Sequence, residues 1–312
     1  MSISLAEPVT ATNKVASLVE ALERDGVVRL PSLVSADVLR DMQDAFASRL
    51  RCFKWNDVDG YERTERNRLM VQDALTLAQG FVDLAVHPFV TAVLNEYLGD
   101  RYGLCEAKGW QSQPTRKNFN SWHGDMWYDQ TKVTDRIPRE VKLAFYLSDV
   151  KSGAFQYCQG THGKQAPRAL KRSDAEQLSQ ESIVEFLGAA GTAVLFDTSG
   201  SHRQSVPILE PRRAVFYNYH DADVPLQAED VEYYRYHPLL LNAAFLGGLT
   251  AEQMRILGFG DKTHYQPKFV RRTPHRWLHA GVTAAHGAAL FVNEWSSRMT
   301  GKIAKTLGLR AK

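Results

Sequence analysis

The 312-residue chain has little of what marks secreted proteins, membrane proteins or cysteine-bound metal sites. Its three cysteines, Cys52, Cys105 and Cys158, are odd in number and far apart, so they provide neither a disulfide framework nor a paired Cys-X-X-Cys metal site. No apolar run approaches the roughly 18 residues that a membrane helix needs, and the first residues lack a basic region followed by an apolar stretch. We therefore expect a cytoplasmic protein that neither crosses a membrane nor is secreted.

Internal repeats and low-complexity segments are also absent, and the composition is ordinary. Hydrophobic residues make up 44% of the chain and charged residues 23%, as in soluble globular proteins. We expect one domain that comprises residues 1–312. The net charge is +3, but residues 261–312 contain ten Lys and Arg against two acidic residues. Because these basic residues are not interleaved with a recognisable nucleic-acid-binding module, we expect no nucleic-acid partner.

Helical and β-rich segments follow one another in a definite order. Apolar residues spaced three and four apart predict helices over 15–24, 38–50 and 78–98. From about residue 100 to 220, short β-rich runs separated by turns replace this spacing, and beyond residue 221 the pattern turns helical again. The sequence therefore predicts a mainly β core at about 100–220, with helices before it and a helical C-terminal extension at about 221–312.

The C-terminal extension contains a basic amphipathic segment. Phe291, Trp295, Met299, Ile303 and Leu307 recur at intervals of four residues, and basic residues lie elsewhere around the helix. We expect the apolar face to pack on the domain's own core or on a second subunit, so that the protein is a monomer or a homodimer. Peripheral contact of this basic helix with anionic lipid is the alternative.

The segment from His123 to Asp125 carries the most chemical information. In an extended segment the side chains at positions i and i+2 point to the same side, so the imidazole and the carboxylate converge. One histidine and one carboxylate leave a metal site short of a ligand, and the third donor must come from elsewhere in the chain. Three histidines after this segment compete for that role: His162, His202 and His220.

The context of each histidine favours His202 as the third ligand. It follows a β-rich run and a turn, and Arg212 lies ten residues later at the start of the next β-rich run. His162 also precedes an arginine by ten residues, but this Arg172 lies in a polar, helix-like segment, and no strand signal follows His220. Two histidines and one carboxylate leave three positions on Fe(II), enough for two oxygens of 2-oxoglutarate and one of O2. A guanidinium can then bind the distal carboxylate of 2-oxoglutarate bidentately.

Taken together, these motifs resemble those of the phytanoyl-CoA dioxygenase-like family of Fe(II)/2-oxoglutarate-dependent oxygenases, over about residues 20–220. The resemblance implies a double-stranded β-helix, also called a jelly roll, with N-terminal helices. It implies that the iron ligands are His123, Asp125 and His202, and that His162 lies in a turn and is not a ligand. The segments that carry it are Asp25–Pro31, His87-Pro88, His123–Asp125, Tyr146–Asp149, Ser152–Phe155, Gly160–His162, and His202 with Arg212.

The same resemblance implies where 2-oxoglutarate binds. Arg212 corresponds to the residue that anchors the cosubstrate, and Phe145 corresponds to an aromatic residue that lies against it. Gln204 stands where relatives often have a cosubstrate-binding serine. The interval from His202 to Arg212 is one residue shorter than in the best-known members, which leaves Arg213 as a rival. Strand alternation and the apolar residues after it favour Arg212.

The activity that the resemblance implies is oxidation of a small or carrier-linked molecule by 2-oxoglutarate and O2, with release of succinate and CO2. Related halogenases have Gly or Ala in place of the metal-binding carboxylate, so the presence of Asp125 favours hydroxylation. Two alternatives remain: desaturation or another oxidation by the same iron chemistry, and a non-catalytic metal-bound jelly roll that binds a ligand. Because function follows the site rather than the fold, the resemblance does not identify the substrate.

Overall fold

A computed structural model describes most of the chain up to residue 260 and a smaller part of the C-terminal region. None of the helices in these parts of the chain has the length and apolar character needed to span a membrane. The described residues are 7–52, 67–119, 121–125, 128, 131–135, 137–163, 178, 180–224, 239–260, 268–271, and eight single positions between 281 and 299.

The N-terminal part consists of helices with two short strands between them. Where one helix is predicted over 78–98, the structure has two, because Pro88 lacks an amide hydrogen and begins a new helix. The side chain of His87 accepts a hydrogen bond from the amide of Phe89 and so caps that second helix. In chain order the elements are α1 (Glu7–Asp25), β1 (Val27–Leu30), α2 (Ala36–Cys52), β2 (Arg68–Val71), α3 (Gln79–Ala85) and α4 (Pro88–Leu98).

Two antiparallel sheets form the core, as the β-rich runs predict. Besides β1 and β2, the strands are β3 (Tyr102–Ser112), β4 (Glu140–Tyr146), β5 (Val150–Cys158), β6 (Ile183–Gly188), β7 (Ala193–Asp197), β8 (His202–Gln204) and β9 (Arg212–Asp221). The larger sheet has six strands in the order β1-β7-β4-β9-β3-β2, and the smaller has three in the order β6-β5-β8.

The larger sheet separates two hydrophobic cores, and strand β4 shows how. Successive residues of a strand point to opposite faces. Leu143 and Phe145 lie on the face that the N-terminal helices cover, whereas Ala144 and Tyr146 pack in the core that residues of both sheets share. The hydroxyl of Tyr146 crosses between the sheets and donates a hydrogen bond to the carbonyl of Phe186. The interior of the jelly roll therefore lies between the two sheets.

The described part of the C-terminal region contains strands, although the sequence pattern predicts only helix there. Strand β10 (Leu239–Asn242) pairs in parallel with β11 (Lys268–Arg271), and helix α5 (Ala251–Ile256) lies between them in the chain. The capping box of Thr250 and Gln253 starts α5. These strands obtain their pairing from a segment far along the chain, which local spacing does not reveal.

The predicted amphipathic helix is described at a few positions only. Val292, Trp295 and Met299 are helical there, and their side chains are exposed. Phe291, Ile303 and Leu307 lie outside the described residues. Packing of this helix, contact with lipid and the oligomeric state therefore stay predictions.

Candidate metal centre

Backbone pairing brings the predicted ligand residues together between the sheets. His202 begins β8, and its backbone exchanges two hydrogen bonds with that of His123, with N–O distances of 2.8 and 3.1 Å. Asp125 is fastened to the turn before β8, because its amide donates to the carbonyl of Thr198 at 2.7 Å and its carbonyl accepts from the Thr198 hydroxyl at 2.9 Å. Three residues from two distant segments are thereby fixed by hydrogen bonds that do not involve their own side chains.

The three side chains converge on a common point. Nε2 of His123 lies 3.7 Å from Oδ1 of Asp125, and Nε2 of His202 lies 3.5 Å from Oδ2 of the same carboxylate. All three donor atoms lie within 4.8 Å of one another. Because zinc and similar ions bind such nitrogens and oxygens at roughly 2.0–2.2 Å, one ion between these atoms can reach all of them.

The hydrogen bonds of both imidazoles prepare them to bind a metal. Nδ1 of His123 lies 2.7 Å from the carbonyl oxygen of Ser121, and Nδ1 of His202 lies 2.8 Å from that of Gly200. A carbonyl oxygen accepts but does not donate, so each Nδ1 carries the hydrogen and each Nε2 keeps its lone pair. Burial, together with the neighbouring His202, lowers the pKa of His123 to about 4. His123 is therefore neutral at physiological pH, which is the form that binds a metal.

Arg212 lies at the start of β9 with its side chain inside the jelly roll, where it is 3% exposed. Its guanidinium lies 4.9 Å from the centre of the Tyr146 ring, and Nη1 donates to the carbonyl of Gly153 at 3.2 Å. Burial lowers the pKa of Arg212. Among the described residues, nothing accepts a hydrogen bond from Nε or Nη2. A buried guanidinium with two unused donor atoms fits the carboxylate of a cosubstrate.

Arg213 takes the opposite direction. Its Nε donates to the side-chain oxygen of Gln111 at 2.8 Å, and the side chain is half-buried. Successive residues of β9 point to opposite faces, so the two arginines cannot both enter the jelly roll. The geometry favours Arg212 over Arg213 as the residue that faces the site.

A model of the phytanoyl-CoA dioxygenase (PhyH) family matches residues 22–205 of the chain. The chain belongs to the phytanoyl-CoA dioxygenase family. Membership confirms the family recognised from the motifs and the predicted enzyme class, an iron- and 2-oxoglutarate-dependent dioxygenase. His123, Asp125 and His202 lie inside the matched segment, whereas Arg212 lies beyond its end, so its place rests on geometry. No curated protein is similar enough in sequence to match the chain.

Solved structures of enzymes that bind 2-oxoglutarate share the fold. EctD from S. alaskensis, solved with 2-oxoglutarate and 5-hydroxyectoine, is 20% identical over 72% of this chain and 81% of its own, with a TM-score of 0.55. The epimerase SnoN from nogalamycin biosynthesis, in complex with Fe3+, alpha ketoglutarate and nogalamycin RO, is 17% identical over 84% of this chain and 98% of its own, with a TM-score of 0.54. HygX from Streptomyces hygroscopicus, with nickel, 2-oxoglutarate and hygromycin B, is 18% identical over 72% of this chain and 94% of its own, with a TM-score of 0.51. The likeness confirms the predicted jelly-roll fold.

The family resemblance assigns two further residues, Gln204 and Phe145, to the cosubstrate site. The structure brings one of them to Arg212 and not the other. Gln204 is buried and donates to the carbonyl of Gly153 at 3.3 Å, the same oxygen that Arg212 contacts, so it lies beside the guanidinium. Phe145 is not brought to the site, because it packs on the helix-covered face of the larger sheet. The aromatic side chain that faces Arg212 is the adjacent Tyr146. A shift of one residue along a strand changes the face, so the sequence-based assignment missed this residue.

The histidines that compete with His202 are bound elsewhere. Nε2 of His162 lies 3.0 Å from the carbonyl oxygen of Glu23, outside the interior of the jelly roll. His220 is buried against Glu140, with 3.3 Å between Nδ1 and Oε1. Neither belongs to the cluster of metal-binding side chains, which is the one such cluster in the described part of the chain. Arg172 lies outside the described residues.

Lys142 is a site residue that sequence reasoning missed. Its Nζ donates to Oδ2 of Asp125 at 2.8 Å, and both side chains are nearly buried. Burial alone raises the pKa of the Asp125 carboxyl group, but the charge of Lys142 and the contact with His202 outweigh it and hold that pKa well below its usual range. The available signal was the composition of β4, since a lysine between the apolar residues Val141 and Leu143 of a buried strand lacks solvent and requires a partner.

Proposed function

We propose that the protein is an Fe(II)- and 2-oxoglutarate-dependent hydroxylase in which His123, Asp125 and His202 hold the iron and Arg212 anchors 2-oxoglutarate. One observation carries the proposal: two Nε2 atoms and a carboxylate lie within 4.8 Å of one another, in the same interior as a buried guanidinium with unused donors. A set of two histidines and one carboxylate with open positions is typical of non-haem Fe(II) oxygenases.

Some residues of the site bind the metal ion, and others orient the side chains that bind it. The carbonyls of Ser121 and Gly200 fix the imidazole tautomers, so that both Nε2 atoms are free to bind. When bound, the iron and 2-oxoglutarate supply the oxidising chemistry with O2, and the protein supplies position and a site without bulk water. The three ligand residues leave three positions open, two for 2-oxoglutarate and one for O2.

The cosubstrate end of the site is built from strands of both sheets. Arg212 on β9 presents two unused donors to the distal carboxylate, and the ring of Tyr146 on β4 packs against the guanidinium. Gln204 on β8 is held in place by the hydroxyl of Ser112, to which it donates at 2.9 Å. These contacts place the anchor before the cosubstrate arrives, which reduces the ordering that binding requires.

Hydroxylation is the reaction that we propose, because Asp125 occupies the third ligand position and leaves no extra position for a halide. One molecule each of 2-oxoglutarate, O2 and substrate then yields succinate, CO2 and the hydroxylated product. The substrate is a small or carrier-linked molecule, and the ligands of the three solved structures differ chemically from one another. Their identities therefore do not transfer to this chain.

The test is 2-oxoglutarate-dependent formation of succinate by the purified full chain, with Fe(II) under air, in the presence of a metabolite extract. Mass spectrometry identifies the metabolites whose loss matches the succinate released and whose products gain one oxygen atom. His123→Ala and Asp125→Ala abolish this activity, whereas His162→Ala, a control histidine outside the cluster, retains it. Succinate formation that persists in Asp125→Ala or in the absence of iron contradicts the proposal. Products that lose two hydrogens and gain no oxygen identify a desaturase.

A further inference from the structure

Lys142 occupies an unusual position for a charged residue. It lies in the middle of β4, paired in register with Phe196 of β7 on one side and with Asn218 of β9 on the other. The residue is 9% exposed, and every residue of β4 is buried. Lysine is rarely buried to this extent without a partner, because an unpaired ammonium in such surroundings is costly. Its partner is the carboxylate of Asp125.

The carboxylate of Asp125 has two ways to meet a metal ion. Oδ1 lies 3.7 Å from Nε2 of His123, and Oδ2 lies 3.5 Å from Nε2 of His202, so both oxygens are near the point where the donors converge. Carboxylates bind metal ions through one oxygen or through both. Binding through both would occupy a position that the cosubstrate or O2 requires.

The ammonium of Lys142 favours binding of the metal ion through one carboxylate oxygen. It lies 2.8 Å from Oδ2 and makes a charge-assisted hydrogen bond there, which leaves Oδ1 as the uncommitted oxygen. We propose that Lys142 is a positioning residue that holds Oδ2 of Asp125, so that the carboxylate offers one oxygen to the metal and the remaining positions stay open for 2-oxoglutarate and O2. This inference rests on the proposed function of the same site.

Lys142 lies in a row of residues that runs across the larger sheet through Asn218 of β9. The next residue beyond Asn218 in the row is Glu106 of β3, which in turn contacts Lys108 at 2.9 Å. The lysines Lys142 and Lys108 each contact a carboxylate, of Asp125 and Glu106 respectively, so the charges in and beside the row balance.

A purely structural ion pair and a positioning residue predict different results. Loss of a structural pair weakens the fold, and with it the binding of every ligand. Loss of the positioning contact frees Oδ2, which then takes a second metal position. Metal binding is then kept or tightened, while fewer water molecules reach the metal and 2-oxoglutarate binds less tightly.

The experiment uses Mn(II) as the probe with the full-length protein in the absence of O2. The signal of free Mn(II) in electron paramagnetic resonance gives the metal affinity, and water-proton relaxation gives the number of water molecules on the bound ion. Titration calorimetry of the Mn(II)-loaded protein gives the affinity for 2-oxoglutarate. We expect Lys142→Met to reduce the number of water molecules on the bound ion from about three to about two. We expect the same variant to weaken 2-oxoglutarate binding on the order of 10-fold, while its metal affinity stays unchanged or rises.

Two further variants test the cause of these effects. Lys142→Arg keeps a cation beside Oδ2, so its bound-water number and its 2-oxoglutarate affinity equal those of the wild type. Lys108→Met is the matched control, because it removes a neighbouring, partly buried ammonium that pairs with Glu106 and leaves the Asp125 contact intact. Its bound-water number and 2-oxoglutarate affinity stay within twofold of the wild-type values. If Lys142→Met does not fold, the double variant Lys142→Met/Glu106→Gln, which keeps the row neutral, gives the same expected result.

Two outcomes overturn the inference. One is a folded Lys142→Met protein, or the double variant, with the bound-water number and 2-oxoglutarate affinity of the wild type. The other is a variant in which metal affinity and 2-oxoglutarate affinity fall together, which marks a structural role only. Failure of the wild type itself to bind Mn(II) overturns the proposed function instead, so the two failures are distinguishable.

Discussion

His123 and His202 are joined by an isolated antiparallel β-bridge, in which each backbone amide donates to the carbonyl of the other residue at 3.1 and 2.8 Å. The bridge extends the smaller sheet beyond β8 and sets the two imidazoles side by side, with 4.4 Å between ring centres. Since the bridge uses backbone atoms only, a ligand side chain can be replaced without loss of the pairing that places it.

Removal of one imidazole should therefore abolish metal binding and spare the fold. The side chain of His123 is 21% exposed and contributes modest packing, so we expect the melting temperature of ligand-free His123→Ala within about 3 °C of the wild type. At a free Ni(II) concentration 100 times its Kd, the wild type gains about 2.7 kcal/mol of stability. The variant should lose this gain, and His162→Ala should keep it. Thermal unfolding with and without Ni(II) measures the effect, and an equal gain in His123→Ala would refute the ligand assignment.

The two neighbouring arginines provide a matched pair of variants. Arg212 enters the jelly roll with two unused donors, whereas Arg213 is on the opposite face and contacts Gln111. A charge-assisted hydrogen bond contributes roughly 1.5–3 kcal/mol, so we expect Arg212→Met to weaken 2-oxoglutarate binding by about 10- to 100-fold. Arg213→Met should change it less than twofold. Anaerobic calorimetry with Mn(II)-loaded protein tests this, and the reverse order of effects would make Arg213 the anchor.

Stability should depend on pH through His220 and Glu140. Burial lowers the pKa of His220, but the nearby carboxylate of Glu140, 3.3 Å from Nδ1, outweighs it and raises that pKa above its ordinary value of 6.5. A group whose pKa is raised on folding stabilises the protein fully below its unfolded-state pKa, and this contribution is lost as the pH rises through the folded-state value. We expect the free energy of unfolding to fall from about pH 6.5 upward, and His220→Gln to reduce this fall. Urea unfolding of the wild type and of His220→Gln at a series of pH values measures both. If the free energy of unfolding depends on pH in the same way in the two proteins, His220 and Glu140 are not the cause of the pH dependence.

Asn218 predicts a variant that is more stable than the wild type. The residue is fully buried on β9, and neither atom of its amide has a hydrogen-bond partner in the part of the chain that the structure describes. An unsatisfied buried polar group costs about 1–3 kcal/mol, so Asn218→Leu should raise the free energy of unfolding by about 1 kcal/mol or more. Asn242 is the control, since it is equally buried but accepts a hydrogen bond from the amide of Ala244. Asn242→Leu should lower the free energy of unfolding, because it removes that hydrogen bond. If Asn218→Leu also lowers the free energy of unfolding, the Asn218 amide makes a stabilising hydrogen bond and the prediction is wrong.

Local rules were sufficient to predict that the side chains of His123, Asp125 and His202 converge. The alternation of an extended segment brings His123 and Asp125 to one side, and the strand signals around His202 and Arg212 mark where each side chain enters the interior. The same signals predict the mainly β core and the N-terminal helices. The split of the predicted helix at 78–98 also has a local cause, because Pro88 is visible in the sequence and favours a new helix start.

What the sequence did not predict depends on the arrangement of whole elements. The face of β4 that looks into the jelly roll is decided by which face the helices cover, so Tyr146 and Phe145 cannot be told apart from the order of residues alone. Lys142 belongs to no motif, and its role depends on a contact with the carboxylate of Asp125, 17 residues earlier in the chain. The pairing of β10 with β11 likewise depends on a contact between segments far apart in the sequence.

The most direct test of the iron site is anomalous diffraction at the iron absorption edge from crystals prepared without O2 and with Fe(II) and 2-oxoglutarate. We expect one peak per chain, at roughly 2.0–2.2 Å from Nε2 of His123, one oxygen of Asp125 and Nε2 of His202, with 2-oxoglutarate extending from it to Arg212. A peak bound to other residues, or none between these three side chains, would contradict the assignment.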